Sequence, residues 1–309
     1  MANAYTDTTA LAGLVKTAYD RYVEFALRSQ PLFRNLADKR PVQQAMPGSS
    51  VVFSLYNDLA AATSTLTETV DPDAVAISNV DTVSVTLNEY GNVVLNTRKL
   101  GEFAFSDVDP GVANIVAYNM ADSIDKIVVN VLRAGTNVIY GGNAVSTATV
   151  DATDVASAAD VSKVVAKLRG ANAVPRDGML YAAYVHPDVA FDLRAESGTG
   201  SFDDIRKYTE GNVGNILGGV MGVLGGAYFV ETPRAYVAND GASSAAVYRT
   251  IIAGKQALAE ATAVEPGVVL GPVVDKLQRF RPVGWYSLQG WARYREEALY
   301  RIESGSSIA

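Results

Sequence analysis

DVDPGVANIVAYNMADSIDKIVVNVLRAG, residues 107–135, is the stretch whose reading decides the architecture. Asp109 carries the short acceptor side chain of a helix N-cap. Pro110 suits the first helical position, where no N–H is needed, and Gly135 suits the close. Between them Ile115, Tyr118, Ile124, Ile127, Val128 and Val131 fall largely on one stripe. The run from Gly111 to Arg133 predicts a rod of about 35 Å at helical rise.

Working upstream, Val51–Leu55 reads as a strand. Val83, Val85 and Leu87 alternate with Thr82, Ser84 and Thr86, the mark of a strand with one apolar face. Val93–Thr97 continues the extended character after Glu89-Tyr90-Gly91-Asn92, which reads as a turn. Residues 57–80, rich in Thr, Ala, Ser, Asp and Pro, show almost no periodicity. Residues 51–97 together predict one long hairpin with an oversized tip. A structureless tip of that length implies that something outside the chain holds it. Ahead of it, Leu11, Leu14, Val15, Ala18, Tyr22, Phe25 and Ala26 predict an amphipathic helix over 8–29, ended by Pro31. A polar arm then runs to the Pro47-Gly48 turn.

Downstream, Gly141-Gly142 and a Ser/Thr/Ala-rich stretch to about Thr153 mark a boundary. Ser157 with Asp160 forms a capping box before Val161, Val164, Val165 and Leu168, with Gly170 at the end. Met179–Val185 predicts a strand, and His186-Pro187 opens a helix through Glu196. Ser197–Gly200 reads as a flexible loop, and strands are expected at 227–232, 245–253 and 268–280. The end of the chain alternates aromatic and charged residues, with Trp285, Tyr286, Trp291, Tyr294 and Tyr300 at core spacing. Strands and helices in unequal segments predict an α+β protein of two intertwined lobes.

The composition narrows the function. The chain of 309 residues holds 26 Lys and Arg against 33 Asp and Glu, for a net charge of −7. That balance argues against a free-standing nucleic-acid binder. Without cysteine there is no disulfide, thiolate metal site or thiol catalysis. The N-terminus lacks the basic cluster and apolar stretch of a secretory signal. Asn212–Val230 is uncharged, yet its glycines (Gly214, Gly218, Gly219, Gly222, Gly225, Gly226) fit buried turns and short strands better than a membrane span. Charge is also unevenly placed. Residues 58–110 carry nine acids against Arg98 and Lys99, while the first 57 residues and the last 35 are each mildly basic. The acidic loop is thereby expected to lie on a basic surface of a neighbouring copy.

No catalytic kit emerges. Ala253-Gly254-Lys255-Gln256 lacks the upstream glycine and the Ser/Thr of a phosphate loop. The glycines of 211–226 lack dinucleotide spacing, and no serine elbow occurs. His186, the one histidine, sits where a helix cap is expected. Asp71 with Asp73, Asp107 with Asp109, and Asp203 with Asp204 are two-residue carboxylate pairs that fit caps and solvated acids better than Ca²⁺ or Mg²⁺ sites. A hydrolase using Asp203, Asp204 and His186 is the enzyme alternative. What is left is an arm, an over-long hairpin and a long rod, the parts of a subunit whose function is its interfaces.

In that order the pieces resemble the tailed-bacteriophage major capsid proteins of the Hong Kong 97 type, similar to the N4-phage branch. The carriers are the arm Tyr19–Pro41, the hairpin 51–97, "DVDPGVANIVAYNMADSIDKIV", "YAAYVHPDVAFDLRAE", "GNVGNILGGVMGV", "AVYRTIIAGKQALAE" and "VDKLQRFRPVGWYSLQGWARYREEALYRIE". The resemblance implies the Hong Kong 97-like fold, with an N-terminal arm (1–50) and an extended loop (51–97). It implies a peripheral domain (98–149 and 266–309) with spine helix 110–134, and an axial domain (150–265). It implies a non-enzymatic subunit that assembles as hexamers and pentamers into an icosahedral shell around double-stranded DNA, found in the virion and assembled in the host cytoplasm. Expected partners are copies of itself, a portal, decoration proteins and a separate scaffolding protein, since the arm begins almost at Met1; no cofactor, metal or membrane is expected. Inter-subunit contacts are expected from Arg21, Arg28, Arg34, Lys39 and Arg40 of the arm and from Asp58, Glu68, Asp71 and Asp73 of the loop. With no lysine in 57–80, a covalent cross-link is not expected. An encapsulin-like compartment and a tail tube subunit are the structural alternatives.

Overall fold

The computed structural model describes residues 30–41, 50–56, 59–66, 68–69, 71–76, 80–103, 108–196, 220–272 and 275–308. The helix expected over 8–29, the loop 197–200 and the glycines of 211–219 lie outside the described residues. The framework is two sheets and a long helix.

The rod is α2, Val108–Arg133, after a short helix α1, Arg98–Phe103. It starts earlier than expected, so Asp109 and Pro110 lie inside its first turn. The buried seam is also rotated from the expected stripe. Val116, Ile124, Val128 and Leu132 are buried and Met120 packs between them, a four-residue ladder, while Ile115 is 45% exposed. The two stripes lie next to each other on the helix, and only the neighbours decide which is covered. The C-terminus of α2 is closed by Arg301, whose Nη1 donates to the carbonyls of Arg133 (2.6 Å) and Gly135.

The first sheet has the order β1-β11-β12-β4, with β1 Ala37–Pro41, β11 Leu258–Leu270, β12 Phe280–Arg293 and β4 Asn88–Thr97. β1 runs parallel to β11; the other pairs are antiparallel. α2 covers one face, where Val283 and Trp285 meet Val116 and Trp285 Nε1 donates to Asn119 Oδ1 at 2.9 Å.

This sheet corrects two expectations. Residues 89–92 are not a turn but the middle of β4, paired with β12 from Asn88↔Gln289 to Thr97↔Phe280. Gly91 is there because a Cβ would come within 2.7 Å of the Trp285 carbonyl oxygen. The strand expected at 268–280 is the end of β11, a turn and the start of β12. Pro266-Gly267 disguised β11. Proline is tolerated at that point because β1 covers only Leu258–Thr262, and the register shifts between Thr262 and Gly267.

The second sheet has the order β5-β13-β10-β6-β8-β7, with β9 also paired to β10. Its strands are β5 Val138–Tyr140, β6 Tyr181–Val185, β7 Val220–Leu224, β8 Ala227–Glu231, β9 Val237–Ala238, β10 Val247–Ala253 and β13 Leu299–Ser304. β6 and β10 are buried along their whole length, as unbroken apolar runs should be. Against this sheet pack α3, Ala158–Gly170, through Val161, Val164, Val165 and Leu168, and α4, Pro187–Ala195, through Val189, Ala190 and Leu193. The Ser157 capping box is present in both directions. His186 caps α4, its Nδ1 accepting from the Asp188 N–H at 3.3 Å.

The third sheet is the hairpin β2, Ser50–Tyr56, with β3, Val80–Thr86, in register from Ser50↔Thr86 to Tyr56↔Val80. The hairpin therefore ends at residue 86, and 88–97 belongs to the body.

Candidate assembly surfaces

Three parts of the molecule bear on assembly: the foot of the arm, the hairpin, and the far end of the first sheet.

The arm foot, residues 30–41, is bolted to its own body. Phe33 and Leu36 are buried in the main core, Phe33 against the Tyr184 ring at 5.0 Å. The Phe33 N–H donates to Asp125 Oδ1 at 2.8 Å, and Arg234 Nε donates to Asp125 Oδ2 at 2.8 Å. Arg234 also reaches Asp122, which Lys126 holds at 2.8 Å. Burial works against ionisation of Asp122, but hydrogen bonds from Lys126 and Arg234 outweigh it and keep the carboxyl below its usual range. Arg234 thus joins the arm foot, the spine helix and the turn after β8.

A second bolt is Arg34 on Glu260. The carboxylate is fully buried and takes Nε at 3.1 and 3.2 Å, with the Thr262 hydroxyl donating to it at 3.2 Å. Burial disfavours the Arg34 charge, yet the Glu260 partner more than restores it. Arg176 Nη1 donates to the Leu36 carbonyl at 2.9 Å, and Asp38 Oδ2 accepts the Gln256 N–H at 2.6 Å.

Arg34, an expected inter-subunit contact, pairs inside its own chain with Glu260, with Glu265 at 3.3 Å. Lys39 is exposed and Arg40 is paired through its backbone with Ala261. Arg21, Arg28 and Asp58 lie outside the described residues. The loop acids Glu68, Asp71 and Asp73 are exposed.

The hairpin is rooted on the face of the first sheet opposite α2. Phe53 and Val85 pack on Ala259, Ala261 and Tyr294, and the Phe53 and Tyr294 rings meet edge-on at 5.7 Å. Beyond the root the tip stands in solvent: Leu66 is 78% exposed and Val75 76%. Docking would remove such apolar residues from water.

The far end of the first sheet overhangs α2. On the hairpin side it presents Val93, Leu95, Val269 and Tyr286, all exposed. Arg98, Lys99, Lys276, Arg279 and Arg281 crowd the same end, with Asp275 and Glu102 in ion pairs to Arg279 and Arg98.

The C-terminal strands hold a separate buried network that sequence reasoning missed. Fully buried Glu303 accepts from Arg249 Nε at 3.0 Å, Arg301 Nε at 2.7 Å and the Thr147 hydroxyl at 2.6 Å. Burial would raise its pKa, but these donors hold it below the ordinary glutamate range. Arg133 stacks on the Tyr236 ring at 4.1 Å, and Arg249 stands 5.1 Å from it. The lone signal in the sequence was alternation of charged residues along β13. Of the C-terminal aromatics, Trp285, Trp291 and Tyr294 are buried as core spacing suggests, while Tyr286 is exposed.

Chemistry fares otherwise. Among the described residues no three His, Asp or Glu side chains gather as a metal site. Asp71 and Asp73 are exposed loop residues. Asp203 and Asp204 lie outside the described residues, as does Asp107. His186 faces Asp188 and Tyr248, and burial pushes its pKa below the usual value. Among the described residues no helix is long and apolar enough to cross a membrane.

An arm bolted at its foot, a hairpin with an unburied tip and a spine helix between two sheets define a self-assembling shell subunit of the Hong Kong 97 fold. The chain belongs to the phage capsid protein family, whose model matches residues 2–305. Its fold is similar to the capsid of cyanophage Pam1 (TM-score 0.76, 14% identity, 98% of this chain and 100% of that one). It is also similar to the capsid of Ralstonia phage GP4 (0.72, 14%, 95% and 96%). A third likeness is the acid-stable capsid of Helicobacter pylori bacteriophage KHP30 (0.72, 14%, 98% and 99%). No curated protein matches the chain.

Proposed function

We propose that this phage capsid protein forms the head shell as hexamers and pentamers around double-stranded DNA, in the manner of the N4-phage branch. It acts without catalysis, and portal, decoration and separate scaffolding proteins complete the head assembled in the host cytoplasm. The second sheet with α3 and α4 corresponds to the axial domain, clustered at the symmetry axes. The first sheet with α2 corresponds to the peripheral domain. The arm and hairpin reach onto neighbours.

The observation that carries this reading is the hairpin tip. Residues 59–66 and 71–76 are exposed throughout, with Leu59, Leu66 and Val75 among them. Their chain neighbours Glu68, Asp71 and Asp73 form an acidic edge. The basic, apolar far end of the first sheet complements it in both respects, which favours a tip laid on that end of the next subunit. Obligate interfaces bury more than roughly 2,000 Å². A shell reaches that total through many modest contacts closed into one surface.

Deleting residues 60–78 tests it. The variant stays soluble and folded but forms no shells under the electron microscope; shells of normal size from it would refute the donated loop. Charge reversal at Glu68, Asp71 and Asp73 together to Lys abolishes assembly, and reversing Arg98, Lys276, Arg279 and Arg281 to Glu in the same chain partly restores it.

A further inference from the structure

One residue separates the hairpin from the body. β3 ends at Thr86, β4 begins at Asn88, and only Leu87 lies between. β4 is tied to β12 over its whole length. The hairpin and the sheet edge therefore move as one lever, with its bearing wherever the hairpin touches the sheet.

That bearing is at Gly290. It pairs with Ala261 in the middle of the sheet, on the hairpin side. A Cβ at this position would fall inside the envelope of the Thr86 carbonyl oxygen, 2.8 Å from Val85 Cγ1 and 2.9 Å from the Thr86 carbonyl carbon. The backbone of Gly290 has no positive φ, so glycine stands here for space and not for torsional freedom. The close approach lets Val85 sink fully into the root cluster beside Phe53, Ala259, Ala261 and Tyr294.

We infer that Gly290 is a positioning residue for assembly: it seats the hairpin on the sheet, fixes the angle at which the hairpin leaves the body, and through that angle sets the curvature at which subunits join. Lifting Thr86 by one methyl group tilts the hairpin, and the tilt grows along paired strands of about 20 Å. In a closed assembly each subunit contact repeats, and closure depends on the rotation between neighbours. A small error at the seat is then repeated at every contact.

The inference rests on the capsid reading, and the test separates the two. If the wild-type chain forms no shells even when produced together with the other head proteins, the capsid reading fails. Given wild-type shells, Gly290→Ala is compared with Gly305→Ala by electron microscopy and by thermal unfolding. Gly305 follows β13 in the second sheet, away from the hairpin and from the far end of the first sheet, and its Cβ would be crowded too, inside the envelope of the Asp151 carbonyl oxygen and 2.9 Å from its carbonyl carbon. The expected result is wild-type shell diameter for folded Gly305→Ala. Folded Gly290→Ala gives open sheets or shells of mixed diameter, with at least a tenfold loss of particles of wild-type size. Wild-type shells from Gly290→Ala, or the same particle distribution from both variants, overturn the inference. Should Gly290→Ala fail to fold, one glycine inserted between Thr86 and Leu87 loosens the lever while keeping the seat. Mixed diameters are expected from it, and uniform wild-type shells overturn the inference.

Discussion

Single carboxylates at the centre of the molecule do the joining. Asp125 satisfies the arm through the Phe33 N–H and the turn after β8 through Arg234, at 1% exposure. Removing one partner of a buried pair leaves the other charge unpaired, at about 3–5 kcal/mol. Asp125→Ala is therefore expected to lower unfolding free energy in urea by that amount, and Asp125→Asn, which retains one acceptor, by less. His186 supplies a test with pH. Its neutral Nδ1 caps α4, and burial lowers its pKa below the ordinary histidine value, about 6.5. The folded state thus resists protonation more than the unfolded chain, so its contribution is complete above 6.5 and fades as pH falls from there toward the lowered value. His186→Asn keeps a good cap and removes the titration. Its unfolding midpoint should be flat between pH 6.5 and 5 apart from the carboxylate effects it shares with the wild type. A midpoint for His186→Asn that falls with the same slope as wild type would refute the assignment. At this scale the His186 cap and the Ser157–Asp160 box were legible, because capping is local. Asp125, Arg234, Arg34 and Glu260 were not, because their partners lie about a hundred residues or more away in the chain.

Among the elements, α3 shows how far local rules reach. The Ser157 hydroxyl accepts from Asp160 N at 3.3 Å, and the Asp160 carboxylate returns to Ser157 N at 3.2 Å. Ser157→Ala is expected to cost about 1 kcal/mol, read as faster hydrogen exchange in the first turn of α3 with the rest of the sheet unchanged. The long strands show where local rules stop. β4 contains a tetrapeptide that reads as a turn, and β11 contains Pro-Gly. Both are strands because β12 supplies partners on the side that matters, and because glycine admits close backbone approach at Gly91. The seam of α2 turned by one position for the same kind of reason. Val283 and Trp285 select Val116 and Met120 for burial and leave Ile115 in solvent.

For the whole molecule, ionic bolts add to apolar contact where the arm meets the body and where the C-terminal strands meet α2. Glu303, Asp122 and Glu296 all have pKa values held below the ordinary carboxylate range; burial pushes each upward, and hydrogen bonds from arginine, lysine or threonine prevail. Groups with lowered folded pKa values stabilise fully above the unfolded value and lose that contribution as pH falls through the folded one. Apart from the fading His186 cap, the subunit should accordingly hold its melting temperature down to about pH 5 and lose it progressively below the ordinary glutamate and aspartate pKa values, about 4. Glu303→Gln should be less stable at pH 7 and show a shallower fall in acid. Equal slopes for the two chains, followed by calorimetry, would assign the acid sensitivity elsewhere.

The sequence by itself determined the long rod, the capped helices around Ser157 and His186, the over-long hairpin, and a chain without cysteine at a net charge of −7. These follow from periodicity, caps and residue inventory, all readable over a few neighbouring positions. Only the tertiary structure decided where the hairpin ends, which stripe of the rod is buried, that the arm foot belongs to its own subunit, and that Gly290 lies beneath Thr86. Each depends on which distant backbone comes to lie alongside, and pairing across long stretches of chain leaves no mark in the local pattern.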